Sequence, residues 1–284
     1  MTLYADIFGG QITGGRKKQE DSFLIKYLPA DQHDQSPPLL AVIADGMGGH
    51  AAGNVASKIA VSTFSAFVVS KFPVPEPRNL LLAGLKTANY AIAKAAANAP
   101  AFEGMGCTFV AVLIIDGQMW WVSVGDSNLY HVRGERLARK NLQHNFSTIA
   151  ELLVKQGKSV EAFGKLSPRT LMSALTGRDI SYVDCPAKPL ALSPQDWLIL
   201  STDGMDSVGD PTIFQCTRRA RDAKSCVAAL IRAVEDIGVP QQDNTTLIVA
   251  RLTEEAQETS YGESDGRSTI AGSRHPVMPD EFDL

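Results

Sequence analysis

Four stretches of this sequence share one local pattern, in which an apolar run meets an aspartate that a small or polar residue follows. They are Val42-Ile43-Ala44-Asp45-Gly46, Val122-Ser123-Val124-Gly125-Asp126-Ser127, Ile199-Leu200-Ser201-Thr202-Asp203-Gly204, and Asp243-Asn244 at the opening of the last apolar run. Glu20-Asp21, ahead of Ser22-Phe23-Leu24-Ile25, adds a fifth acidic signal. A carboxylate at a strand end is held by a rigid sheet yet reaches solvent, which is the placement a hard cation needs. Several such groups in one pocket repel one another unless positive charge sits among them, and divalent cations supply it. Oxygen-only ligation selects Mg²⁺ or Mn²⁺ over zinc, because neither histidine nor cysteine recurs in the pattern. Taken singly, an Asp-Gly after a strand is more often a plain turn. The conjunction of these motifs, in this order, carries the argument.

The elements that position these acids can be read from periodicity. Leu39–Ala44 is a short apolar run ending at an acid and a glycine, as a buried strand does. A helix is expected from about Asn54 to Ser70, broken by Pro73, Pro75 and Pro77, and a second one capped by Asn79 and running to about Asn98. Cys107–Ile115, the turn Asp116-Gly117 and Gln118–Val124 read as a β-hairpin with a type I′ turn, and Asn128–Val132 continues the meander. Ser147–Gln156 is a helix with Ser147 as N-cap and Gly157 as terminator. Residues 164–178 are loop-like, and Trp197–Leu200 and Thr245–Leu252 are strands separated by a helix near Lys224–Ile237. Many antiparallel strands with paired helices predict sheets packed on each other with helices outside.

Composition is that of an ordinary globular protein, and the formal charge of −4 argues mildly against nucleic acid as a partner. Residues 253–284 carry a net −6, which leaves residues 1–252 at +2. That tail loses hydrophobic periodicity and is expected to be disordered, so the domain boundary falls near Leu252. No apolar stretch approaches the ~20 residues of a membrane span, and the N-terminus lacks a charged segment followed by an apolar one, so a cytoplasmic location is expected. Cys107, Cys185, Cys216 and Cys226 form no C-x-x-C pair and read as small apolar residues.

The set Arg16-Lys17-Lys18-Gln19-Glu20-Asp21-Ser22, Asp45-Gly46-Met47-Gly48-Gly49, Gly106-Cys107-Thr108, Gly125-Asp126-Ser127, Ser201-Thr202-Asp203-Gly204 and Asp243-Asn244 resembles the type 2C family of metal-dependent serine/threonine phosphatases, in its bacterial form. The resemblance spans residues ~10–252. It implies an α+β chain, a four-layer αββα sandwich of two antiparallel sheets flanked by helices, with the site in a cleft at one sheet edge and a flap over about 145–178. It also implies two Mn²⁺ or Mg²⁺ ions bridged by Asp45, one completed by Asp203 and Asp243, the other by Glu20 and the carbonyl of Gly46. Asp126, with Asp203, matches a third and weaker metal position, and Arg16 matches an arginine that grips phosphate. The catalytic residues so implied are Arg16, Asp45 and Asp203. The chemistry expected is hydrolysis of phosphoserine and phosphothreonine by a metal-activated water, with a planar guanidinium fork well suited to two phosphoryl oxygens. Partners implied are phosphorylated proteins and their serine/threonine kinase, with no nucleic acid, no membrane, and the chain acting as a monomer. Two departures stand out: Met47 occupies the position where some relatives carry a histidine, with His50 nearby, and Asn128 stands where many have arginine.

Other readings are weaker. Gly46-Met47-Gly48-Gly49-His50-Ala51 fits G-x-G-x-x-A, but no acid ends a second strand ~20 residues on. Cys226 to Arg232 has C-x5-R spacing, yet Val-Ala-Ala-Leu-Ile between them is a helix interior and not an amide cradle for phosphate. A two-metal nuclease would need clustered basic and aromatic residues that the body lacks. A catalytically inactive binding module with this fold would have lost the acids, which are all present.

Overall fold

The computed structural model describes residues 2–29, 36–48, 52–160 and 163–254. All but the first two residues of the expected tail 253–284, and the segment 49–51 containing His50, lie outside the described residues.

Two five-stranded antiparallel sheets follow from the apolar runs. One runs β1 (Tyr4–Ile12), β12 (Thr245–Thr253), β11 (Trp197–Ser201), β8 (Asn128–Arg133), β9 (Arg136–Arg139). The other runs β10 (Leu190–Ala191), β7 (Gln118–Val124), β6 (Phe109–Ile115), β3 (Leu39–Ala44), β2 (Ser22–Tyr27). A short ribbon pairs β4 (Gly46–Met47) with β5 (Gly106–Cys107). Side-chain alternation sorts the residues into layers. In β3, Leu40, Val42 and Ala44 pack toward α1 (Ala52–Lys71) and α2 (Pro77–Asn98), whereas Leu39, Ala41 and Ile43 face the opposite sheet. In β12, Ile248, Ala250 and Leu252 join that inter-sheet core, while Leu247 and Val249 face α4 (Asp210–Arg219) and α5 (Ala223–Ile237). Central strands covered on both faces read as continuous apolar runs, and the result is the expected αββα sandwich.

The hairpin turn is as read: Asp116 and Gly117 both have positive φ, 49° and 69°. The meander is not. Asn128–Val132 begins β8, but β8 pairs with β11 in the other sheet, so Gly125–Ser127 is a crossover between layers. Helix starts also moved. The second helix begins at Pro77, whose missing N–H suits the first turn, with no side-chain cap. The helix α3 (Phe146–Lys155) is capped by Asn145, whose carboxamide oxygen accepts from the Thr148 N–H at 3.0 Å, and the Ser147 hydroxyl bonds to that same oxygen. Asn145 satisfies a first-turn amide that Ser147, one residue inside, cannot.

Helix α1 is 20 residues long with a hydropathy of 1.3, apolar enough by length and composition to cross a bilayer, which the sequence reading overlooked. Its face of Ala52, Ala56, Ala60, Phe64 and Val68 is buried in the core, with Phe64 against Phe109 at 4.8 Å between ring centroids.

Candidate metal centre

The antiparallel registers bring the acids to one end of the sandwich. Asp45 follows β3, and its backbone is clamped by Thr108: the Asp45 N–H donates to Thr108 Oγ1 at 3.0 Å, and the Thr108 N–H donates to the Asp45 carbonyl at 2.9 Å. Gly46 comes next because nothing larger fits. A Cβ there would collide with the carbonyls of Gly53 and Glu20. Asp203 opens a 3-10 turn, Asp203–Ser207, directly after β11, and Asp243 precedes β12. Asn244 ties the Arg16 loop to this end, donating to the carbonyls of Thr13 at 2.8 Å and Lys18 at 3.0 Å and accepting from the Glu20 N–H at 2.8 Å. Arg16 then forms a 2.6 Å ion pair with Asp243 across 227 residues.

The electrostatics show how closely the acids have been gathered. Burial pushes the Asp45 carboxyl well above its usual range, and the charges of Asp21, Asp203 and Asp243 push it further. Asp203 is also raised, by burial first and then by Asp243. Asp126 is pushed up to about 6 by burial and by the charge of Asp203. Among the described residues no three His, Cys, Asp or Glu side chains are already close enough together to hold one metal ion. The Arg16 pair with Asp243 supplies positive charge at the edge of the cluster.

Asp45, Gly46, Asp203 and Asp243 thus meet at one place, with Asp126 beside Asp203 and Arg16 on the rim. Glu20 contributes its backbone to the frame, its carbonyl accepting from Ser57 Oγ at 2.5 Å, but it is not among the principal charges felt by Asp45, Asp21 or Asp203. The acid that is among them is Asp21, which sequence reasoning passed over. Ser22 pairs with Ala44, so the same antiparallel register sets Asp21 across from Asp45. Asp21 also shares the face of Phe23 and Ile25, which points between the sheets. There its Oδ2 accepts from Thr202 Oγ1 at 2.9 Å and Thr246 Oγ1 at 2.7 Å, and burial raises it to about 7 against those two bonds. The available signal was strand parity. It was ambiguous because Leu24 on the other face is packed as well.

Two buried carboxylate oxygens, Asp21 Oδ1 and Asp203 Oδ1, have no hydrogen-bond partner. Unsatisfied buried anionic oxygens are costly. A cluster of hard oxygen donors with spare lone pairs, short of positive charge, fits divalent Mg²⁺ or Mn²⁺.

The segment 145–178 borders this end. Leu175 and Cys107 exchange backbone hydrogen bonds of 3.0 and 2.9 Å, and Asn89 on α2 holds both Gly177 and Arg178. The charges of Arg139 and Arg169 both act on Asp206, next to Asp203 and Asp126.

Residues 19–247 match the family profile described as Protein phosphatase 2C. The serine/threonine protein phosphatase PstP of Mycobacterium tuberculosis is 32% identical over 222 residues, covering 76% of this chain and 40% of that protein. This chain therefore spans well under half the length of that relative. The protein phosphatase PhpP of Streptococcus pneumoniae is 28% identical over 222 residues, 77% of this chain and 88% of its own. A crystal structure of the catalytic domain of PstP in complex with two manganese ions superposes with a TM-score of 0.69 at 27% identity, covering 89% of this chain and 100% of that one.

Proposed function

The chain belongs to the protein phosphatase 2C family, and from that premise we propose that it hydrolyses phosphoserine and phosphothreonine in proteins at the end of the sandwich where Asp21, Asp45, Asp203 and Asp243 meet. The observation that carries this reading is the convergence of Asp21, Asp45 and Asp203, whose carboxyls are raised by burial and by neighbouring acids, with Asp21 Oδ1 and Asp203 Oδ1 left unpartnered.

Asp45, Asp203 and Asp243 are the residues that would hold Mn²⁺ or Mg²⁺, together with the Gly46 carbonyl and Glu20, while Asp126 with Asp203 would serve a further, weaker site. When bound, such ions supply a hydroxide near neutral pH for in-line attack at phosphorus. The chain's own groups do the rest. Arg16, half exposed and anchored through Asp243, offers its remaining guanidinium N–H groups to phosphoryl oxygens. Thr108 and Asn244 fix the backbones of Asp45 and of the Arg16 loop, so the acids and the guanidinium keep one spacing. Asp21, held by two threonine hydroxyls, closes the inter-sheet core behind Asp45 and is an orienting group for it. Residues 1–252 form the catalytic body with 145–178 as a flap in which Arg169 or Arg178 selects substrate. The substrates are products of a serine/threonine kinase, and the protein acts as a cytoplasmic monomer.

The test is hydrolysis of an aryl phosphate and of a phosphothreonine peptide with added Mn²⁺, for wild type and Asp203→Asn. Metal-dependent turnover that the substitution largely removes is expected. Equal turnover by both proteins would overturn the assignment of Asp203.

A further inference from the structure

Gln143 and His144 stand between the Asp126 turn and the segment 145–178, and they hold both. His144 is fully buried and grips Gly125 from two sides: its Nδ1 accepts from the Gly125 N–H at 3.0 Å, and its own N–H donates to the Gly125 carbonyl at 2.8 Å. Gln143 Nε2 donates to the Asp126 carbonyl at 3.0 Å and to Asn128 Oδ1 at 2.9 Å, and Asn128 Nδ2 donates on to Asp206 Oδ1 at 2.9 Å. On the other side, the His144 carbonyl accepts from the Met172 N–H at 2.7 Å, Gln143 Oε1 accepts from Arg139 Nη1 at 2.8 Å, and the next residue, Asn145, caps α3 and bridges to Leu171.

The turn has little freedom of its own. Gly125 has φ 101°, a conformation left to glycine, and a Cβ there would press on Thr108, the residue that clamps Asp45. Asp126 therefore sits on a turn wedged between Thr108, tied to Asp45, and His144, tied to Met172. Met172, in the 145–178 segment, is thus joined to Gly125 through the backbone and ring of a single residue, His144, and not through a flexible side chain.

We propose that Gln143 and His144 are positioning residues for Asp126, through which the position of the 145–178 segment sets that of the Asp126 carboxylate. The proposal rests on the reading above that Asp126 belongs to the metal-holding acids. Gln143 also orients Asn128 against Asp206, an acid whose charge acts on Asp126, so it governs both the backbone that carries Asp126 and part of the field around it.

The test is a calorimetric Mn²⁺ titration of the full chain as wild type, Gln143→Leu, Asp126→Asn and the double variant, paired with KM and kcat on the phosphothreonine peptide. Losing the bonds to Asp126 and Asn128 is expected to weaken, by about tenfold, the Mn²⁺ binding that Asp126→Asn abolishes, and to raise the peptide KM more than it lowers kcat. In the Asp126→Asn background, Gln143→Leu should add nothing to the Mn²⁺ isotherm. His144→Asn, which keeps an acceptor near the place of Nδ1, should bind Mn²⁺ nearly as wild type, and His144→Leu should not. That pair decides the matter if Gln143→Leu does not fold. An unchanged isotherm for Gln143→Leu beside an altered one for Asp126→Asn, or additive losses in the double variant, would overturn the positioning role alone. An unchanged isotherm for Asp126→Asn would remove the metal reading of Asp126 and this proposal with it.

Discussion

Strand β11 is flanked by an aspartate beyond each end, and the two live in opposite chemistries. Asp196, just before Trp197, is 1% exposed and surrounded by donors: Arg133 gives Nε at 2.9 Å and Nη2 at 2.6 Å, the Ser193 N–H lies at 2.9 Å, and His131 Nε2 at 3.0 Å. Burial alone would raise its pKa, but the Arg133 bonds, with His131 and Ser193, outweigh it and bring it to about 2. Asp203, just past Ser201, is half-buried among other acids with the Arg16 guanidinium spent on Asp243, and its pKa is raised. One end satisfies its carboxylate and gains stability. At the other, partners of opposite charge are withheld, which leaves oxygen lone pairs for a cation. The role of a carboxylate is therefore read from the donors around it and not from burial alone.

Substitutions should separate the two ends. The largest contrast is expected in activity: Asp45→Asn should lower kcat on an aryl phosphate by about a thousandfold or more, as loss of a group serving the transition state does, whereas Asp196→Ala should leave turnover per folded molecule unchanged. In thermal unfolding the order inverts. Asp196→Ala strands His131 and part of Arg133 and should cost about 3 kcal/mol, with Tm lower by about 10 °C. Asp45→Asn removes repulsion and should raise the Tm of the metal-free protein by a few degrees, about 1 kcal/mol.

The pH dependence should also divide by end. Asp196 has a folded pKa below its unfolded value, so its contribution, about 2 kcal/mol, is present above pH ~4 and disappears as pH falls toward 2. Asp21 and Asp126 have folded values raised to about 7 and about 6, so the stability they allow is complete below their unfolded pKa and is lost as pH rises through 6 to 7. In chelator, Tm should therefore rise as pH is lowered from 8 to about 4.5 and fall below ~4. Added Mn²⁺ should stabilise more at pH 8 than at pH 5. A flat Tm profile in chelator would contradict the raised carboxyls. The smallest effect is expected at the rim: Arg16→Ala breaks an exposed ion pair and should change stability by less than ~1 kcal/mol, while raising KM for the aryl phosphate.

The elements were legible where one physical signal dominated. Leu39–Ala44 is apolar at every position because helices cover one face and a sheet the other, and Asp116-Gly117 announces a turn that needs two positive φ angles. Signals failed where two choices cost the same locally. Asn128–Val132 has the composition of a strand in either sheet, and only the crossover at Gly125–Ser127 assigns it. Asn145 and Ser147 are both good caps, separated by where the chain enters the helix.

By itself the sequence determined that acids stand at the ends of stiff apolar strands and that glycine follows Asp45, since strand stiffness and the lack of a Cβ are local properties. Which acids share a pocket was settled by strand register and parity. These place Asp21 across from Asp45 and bring Arg16 to Asp243 across 227 residues. Electrostatic raising of a carboxyl is likewise a property of the assembled cluster, because the repulsion that produces it exists only once distant segments have been packed together.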